Sequence, residues 1–237
     1  MSTTTPTIVL VHGAFGDSGM WRGVIAKLQS QGYTTLAVAN PLRGLESDAQ
    51  YAATVAKSVE GPVVLVGHSY AGAIITRAAR DASNVQALVY IAAYQPDEGE
   101  SALENAASHF PGAKMVPGTT FATEYEGEPE LRILPEYYQD VIAGDLPTEV
   151  TDVLAVTQRS VRVQALTAEL SGQPAWRTLP SWAVVATQDH AIPGQAQEFM
   201  AERAGSHIVR IEGSHAVSIS QPDAVADVII DAAKATR

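Results

Sequence analysis

Six short, continuously apolar runs alternate with segments of helical period, and this alternation limits the possible folds more than any other feature. The runs are Thr7 to Val11, Thr34 to Ala39, Pro62 to Val66, Ala87 to Ala93, Trp182 to Ala186 and His207 to Ile211. They lack the apolar–polar alternation of a half-exposed strand, so each must be covered on both faces. That condition describes a parallel sheet between two helical layers. The intervening segments supply the layers. Trp21, Val24, Ile25 and Leu28 share one face and stop near Gly32, a C-terminal cap. Ile74, Ile75, Ala78 and Ala82 do the same, with Arg77, Arg80 and Asp81 opposite. A third helix carries Phe199, Met200 and Arg203 before Gly205. In the last helix Ser220 reads as N-cap, Pro222 as first-turn residue and Asp223 as the closing member of a capping box, with Val225, Val228, Ile229 and Ala232 inward. Right-handed strand–helix–strand units complete an α/β class expectation of a mostly parallel six-stranded sheet.

Between about Pro96 and Pro180 the rhythm stops. Pro, Gly and aromatic residues are scattered among short helical stretches with no strand pattern. For a chain of 237 residues, one domain with an insertion is the natural division: a core of residues 1–95 and 181–237, and a mainly helical cap or lid over 96–180. The acidic groups Asp97, Glu98, Glu100, Glu104 and Glu124, Glu126, Glu128, Glu130 read as a solvated outer face. Tyr125, Tyr137, Tyr138 and Trp176 either line a pocket under the cap or pack the cap itself. Fifteen basic against 26 acidic residues leave a net charge of −11, a field that repels nucleic acid and anionic membrane surfaces. No run of about 18 apolar residues occurs, and the polar start lacks the pattern of a signal peptide. With no cysteine, thiolate metal sites, disulfide scaffolds and a cysteine nucleophile are excluded. A soluble cytoplasmic protein, monomer or homodimer, is expected.

The sharpest chemical signal lies where the third strand meets its helix, at Gly67-His68-Ser69-Tyr70-Ala71. Small residues two positions either side of Ser69 allow a tight strand-to-helix turn that presents the hydroxyl at the carboxyl edge of the sheet. The usual pattern has Gly where Ala71 stands, a departure of one methyl group. A serine hydroxyl needs a base to take its proton and an acid to orient that base. Asp189 and His215, each on a loop after a later strand, supply them in the order expected of such a hydrolase. Asp97 is the rival acid. Among rival bases, His68 lies inside the turn, His190 abuts Asp189, His109 is in the insertion and His207 opens a strand. For the oxyanion, two backbone amides are expected: Tyr70, just after the nucleophile, and Ala14, in the loop His12-Gly13-Ala14-Phe15 after the first strand. Phe15 and the Tyr70 ring are candidate pocket walls. The site calls for neither metal nor cofactor.

Taken together, His12-Gly13-Ala14, Gly67-His68-Ser69-Tyr70, Gln95-Pro96-Asp97, Asp189 before Ile192-Pro193 and Gly213-Ser214-His215 resemble the α/β-hydrolase superfamily. Within it the chain is most similar to the branch of plant methylesterases, hydroxynitrile lyases and small bacterial esterases. The resemblance covers nearly the whole chain and implies esterase activity, a cap over the pocket, and Ser69, Asp189 and His215 as a triad. The plant lyases carry Thr where Gly13 stands and Lys directly after the histidine, where this chain has Ala216, so cyanohydrin cleavage is disfavoured. Gly13, Gly16 and Gly19 also resemble the dinucleotide loop of short-chain dehydrogenases. That reading of a nicotinamide-dependent reductase fails at Asn40, where an acid should hold the ribose, and no tyrosine is followed four positions later by lysine. The remaining alternative is a slow-turnover ligand-binding protein on a hydrolase scaffold. The expectation is therefore a serine carboxylesterase acting on small to medium carboxylic esters through an acyl-enzyme.

Overall fold

A computed structural model describes residues 5–103 and 110–236; Glu104 and His109 lie outside the described residues. Among the described residues there are nine strands: β1 Thr7–Val11, β2 Thr35–Val38, β3 Val63–His68, β4 Val85–Ile91, β5 Thr120–Tyr125, β6 Glu128–Ile133, β7 Val161–Arg162, β8 Ser181–Ala186 and β9 His207–Ile211. The α-helices are α1 Arg22–Ser30, α2 Leu45–Lys57, α3 Ala71–Ala78, α4 Pro135–Ile142, α5 Thr148–Thr157, α6 Val163–Thr167, α7 Gly194–Arg203, α8 Val217–Ser220 and α9 Pro222–Ala235. Six strands form one sheet in the order β2-β1-β3-β4-β8-β9, with every neighbouring pair parallel.

Each central strand serves two cores, because successive residues point to opposite faces. Ile8, Leu10, Val64 and Val66 pack with Trp21, Val24, Leu28, Val225 and Ile229 on the side of α1 and α9. Val9, Val11, Leu65 and Leu88 pack with Ala49, Ala52, Ala53, Ile74, Ile75 and Met200 on the other. This double burial is why the strands read as unbroken apolar runs. Helix α2, which sequence periodicity did not reveal, buries a face made largely of Ala49, Ala52, Ala53 and Ala56. Small side chains give a weak apolar signal, yet they let the helix approach α3 closely.

One helix detail differs from expectation. Ser220 is not the N-cap of α9. Its N–H already donates to Ala216 O at 3.1 Å, so it is the last residue of α8, and Gln221 occupies the cap position without a side-chain bond. On α7, Phe199 is exposed, with its ring 5.6 Å from that of Phe110.

The insertion contains strands that its sequence did not advertise. β5 and β6 form an antiparallel hairpin with Tyr125 opposite Glu128, turned by Glu126 and Gly127 at φ 55° and 78°. Two consecutive positive φ angles suit a tight hairpin, since their twist matches that of the strands. β7 adds to β6. The alternation was masked because both sides of the hairpin are largely solvent-facing and Pro129 interrupts it. Glu124, Glu126 and Glu128 are exposed as expected, but Glu130 is buried and paired with Arg43. Among the four aromatics singled out, Tyr125 and Tyr137 face solvent. Trp176 packs inward with its indole N–H on Pro96 O at 2.9 Å. Among the described residues, no helix is long and apolar enough to cross a membrane.

Candidate active site

Because the strands of the large sheet are parallel, the residues that follow β1, β3, β8 and β9 meet at one edge. Ser69 follows β3 directly and holds φ 55°, the left-handed region that costs a non-glycine residue about 1–3 kcal/mol. The turn is over-determined by its neighbours. Ser69 N–H donates to Ile91 O at 3.2 Å, while its carbonyl accepts Gly72 N–H at 3.0 Å and Tyr94 N–H at 3.2 Å. A Cβ at Gly67 would stand 2.6 Å from Ala71 O, and one at Gly72 would stand 1.9 Å from Tyr94 O. Glycine is thus required before the serine and at the third position after it. Ala71 is fully buried without conflict, which is how the structure absorbs the departure from the usual pattern.

Asp189 and His215 are brought together. His215 Nδ1 lies 2.6 Å from Asp189 Oδ2, and both side chains are buried. Asp189 is fixed independently: its Oδ1 accepts the N–H groups of Ala191 and Ile192 at 2.7 and 2.9 Å. Its Oδ2 also accepts Gln197 Nε2 at 2.7 Å, and Gln197 Oε1 in turn accepts Ala186 N–H at 3.0 Å. A carboxylate so oriented fixes the imidazole tautomer with its proton on Nδ1, leaving Nε2 as the basic nitrogen.

The rival residues are engaged elsewhere. Asp97 pairs with Arg177 at 2.5 Å. His190 Nδ1 meets Asp140 O at 2.8 Å, and His207 stacks on Trp182. His68 is buried, its Nε2 2.8 Å from His215 O. Burial, seconded by the neighbouring His215, pushes its basicity well below that of an ordinary histidine, so it stays neutral and donates that proton to the carbonyl.

The loop bearing His215 is tied to the insertion. Ser214 N–H donates to Asp145 Oδ2 at 3.1 Å, and the Ser214 hydroxyl donates to Asp145 Oδ1. Ala216 N–H donates to Ile142 O at 2.9 Å. Asp145 therefore holds the residue before the histidine from the far end of α4. Neither Asp145 nor Gln197 was legible in the sequence, since an isolated Asp and Gln in loop and helix carry no spacing signal.

The loop after β1 lies against the serine: a Cβ at Gly13 would be 2.6 Å from Ser69 Cβ. Ala14 and Phe15 line a small enclosed cavity of about 40 Å³ together with Met20, His68, Tyr138, Ile142, Leu154 and His215. Tyr138 also donates its hydroxyl to Phe15 O at 3.3 Å. The Tyr70 ring does not join this lining. It is buried on the α2 side, its hydroxyl bonded to Asp48 Oδ2 at 3.0 Å, and burial raises the phenol far above its ordinary pKa. A larger apolar cavity of about 440 Å³ lies among Leu103, Met115, Thr120, Leu131 and Leu166 of the insertion and includes none of the candidate catalytic residues. Among the described residues, no group of three or more His, Asp or Glu is placed to hold a metal.

The sequence matches the alpha/beta hydrolase family over residues 8–228. The chain belongs to that family. Within it, the chain is 26% identical to the alpha/beta hydrolase nvfD of Aspergillus novofumigatus over 254 residues, covering 96% of both proteins. It is 24% identical to putative methylesterase 11 of Arabidopsis thaliana, covering 97% of this chain and 64% of that protein. Among solved structures, polyneuridine aldehyde esterase superposes with a TM-score of 0.81 at 19% identity, covering 96% of this chain and 99% of that one. The candidate site lies at the carboxyl edge of the sheet, where open α/β sheets hold their ligands.

Proposed function

We propose that this α/β hydrolase is a cofactor-free serine carboxylesterase, with residues 1–95 and 181–237 as its core and 96–180 as its cap. The buried Asp189–His215 pair at 2.6 Å, on the sheet edge that also bears Ser69, carries this reading. Likeness to a putative methylesterase and to polyneuridine aldehyde esterase supports the choice of an ester over other acyl substrates. In this mechanism His215 Nε2 takes the proton from Ser69 as its oxygen attacks the ester carbonyl, and Asp189 steadies the imidazolium. The amides of Tyr70 and Ala14 hold the developing oxyanion, whose charge exists only in the transition state and intermediate. The alcohol leaves with the proton from His215. Water then gives its proton to the same nitrogen and attacks the acyl-enzyme, releasing the acid and free Ser69.

The cavity of about 40 Å³ has room for only two or three water-sized groups, and no carboxylate, ammonium or guanidinium lines it. With this cavity beside His215 as the acyl pocket, the substrate of the proposed enzyme is a neutral ester with a short acyl group. The test is turnover of p-nitrophenyl acetate, butyrate and octanoate by wild type and Ser69→Ala. Multiple turnovers that favour acetate and vanish in Ser69→Ala are expected. A folded wild type without turnover on any of the three would favour a ligand-binding role, and activity persisting in Ser69→Ala would overturn the nucleophile.

A further inference from the structure

Asn40 stood out in the sequence only as the wrong residue for a nucleotide-binding loop, and the esterase mechanism leaves it without a task. In the structure it is fully buried in the turn between β2 and α2, and two of its bonds reach the segment that follows β1, while its N–H is shared with Val38 O at 3.1 Å. Its side-chain Nδ2 donates to His12 O at 2.9 Å, its backbone N–H donates to His12 Nε2 at 3.1 Å, and its Oδ1 accepts Leu42 N–H at 3.3 Å. His12 immediately precedes Gly13-Ala14. The His12 ring is neutral, pushed down to about 4 by burial, so Nε2 is free to accept and Nδ1 donates to Gly13 O at 2.9 Å.

Eight residues further on, at Asp48, the same segment reaches the other side of the site. Asp48 is fully buried. It accepts Arg43 N–H at 3.0 Å, Gly44 N–H at 3.4 Å and the Tyr70 hydroxyl at 3.0 Å. Tyr70 is the residue whose amide faces the oxyanion in the proposed mechanism. One short stretch of chain therefore holds Tyr70, which carries one oxyanion amide, and His12, two residues before Ala14, which carries the other. The cap grips that stretch in turn: Arg159 Nη1 donates to Asn40 O at 2.7 Å, Arg162 N–H donates to Leu42 O at 3.0 Å, and Glu130 pairs with Arg43.

We propose that Asn40 and Asp48 are positioning residues of the oxyanion site, and that the cap sets their position through Arg159 and Glu130. The inference rests on the esterase reading, because it assigns the two amides to an oxyanion. Preorganised donors act on the transition state and not on the bound ester. Displacing them should lower kcat and leave KM nearly unchanged, whereas a merely structural role would lower stability alone.

The test uses Tyr70→Phe, which deletes one oxygen and keeps the amide, and Arg159→Met, at a half-buried position, with the fold of each checked by circular dichroism. Relative to wild type on p-nitrophenyl acetate, each should lose about tenfold in kcat at near-constant KM, less than the hundredfold or more expected when an oxyanion donor is removed outright. Both should also bind a trifluoromethyl ketone, which mimics the tetrahedral intermediate, correspondingly less well, while binding of the product acid is unchanged. Unchanged kcat and unchanged ketone affinity with a lowered Tm would overturn the proposal. If wild type hydrolyses no ester, the functional reading fails separately, and amide exchange decides the positioning claim. Faster exchange at Ala14 in Arg159→Met and at position 70 in Tyr70→Phe supports it, and unchanged exchange overturns it.

Discussion

The sheet core and the insertion meet at the same site but hold it by different means. In the core, position follows from packing: β1, β3 and β8 are buried on both faces, β9 closes the sheet as a part-exposed edge strand, and the residues that leave their carboxyl ends have little freedom. The insertion reaches the site through individual polar contacts, Asp145 to Ser214, Tyr138 to Phe15, Arg159 to Asn40 and Glu130 to Arg43. Packing places a catalytic group to within the width of a side chain. Directional bonds then set the last fraction of an ångström, on which transition-state stabilisation depends. Substitutions at core-fixed catalytic groups should therefore abolish chemistry, and those at cap contacts should grade it.

The largest effect expected is at Asp189, the acid of the proposed mechanism. Asp189→Asn should fold, since Asn can still accept the Ala191 and Ile192 amides, but it no longer enforces the correct imidazole tautomer. A loss of up to ~10⁴-fold in kcat is the scale for losing a triad carboxylate. Asp97→Asn, which breaks only the pair with Arg177, should leave turnover near wild type. Measuring both on one ester substrate breaks the comparison if the order of the two variants is reversed.

How much of this was legible in the sequence divides along the same line. The six strands of the large sheet were readable to within one or two residues: β1, β3, β4 and β8 because two-sided burial leaves an unbroken apolar run, and the edge strands β2 and β9, which are part-exposed rather than covered on both faces, because of their β-branched content. The positions of Ser69, Asp189 and His215 followed from the loops after those strands. The β5–β6 hairpin was not readable, as a solvent-facing pair of strands containing Pro129 shows no apolar run. Tyr70 was misjudged as a pocket wall because nothing local signals that its hydroxyl belongs to Asp48, 22 positions away. Asn40, Asp48 and Asp145 act through contacts that are long-range in sequence, and a lone polar residue carries no period to read.

An intermediate effect should appear in the acid stability of the joint between the two regions. His12 sits at that joint with its pKa lowered by burial from 6.5 to about 4. Above pH 6.5 both folded and unfolded states are neutral at this residue, and its contribution is fully present. Between 6.5 and 4 only the unfolded state takes up the proton, so stability falls as the solution is acidified, by about 3 kcal/mol at the lower limit. His68, also buried and also shifted downward, acts in the same direction. Urea unfolding of wild type and His12→Gln at pH 7 and 4.5 isolates the His12 share as the change in their difference. A difference that is the same at both pH values would show that His12 carries no such linkage.

The smallest effect, and the one that sharpens the contrast most, is at Asp145. Its carboxylate accepts two bonds from Ser214, and those bonds, led by the Ser214 hydroxyl after the opposing cost of partial burial, keep its pKa below the usual carboxylate range. A bond to a charged acceptor is worth about 1.5–3 kcal/mol when shielded, and Asp145 is largely exposed, so solvent discounts it. Asp145→Ala should then cost about 1 kcal/mol or less of stability. The catalytic cost should be larger than the stability cost, because Ser214 adjoins His215 and a shift of under 1 Å in the imidazole misaligns proton transfer. We expect about a tenfold fall in kcat at constant KM, with Asp145→Asn, which keeps one acceptor oxygen, falling between the two. The low-field proton of the His215–Asp189 bond in NMR spectra should broaden in parallel. If Asp145→Ala lowers Tm by several degrees yet keeps wild-type kcat and a sharp low-field proton, the cap holds the histidine loop only as structure, and the division between packing and directional bonds does not extend to this side of the site.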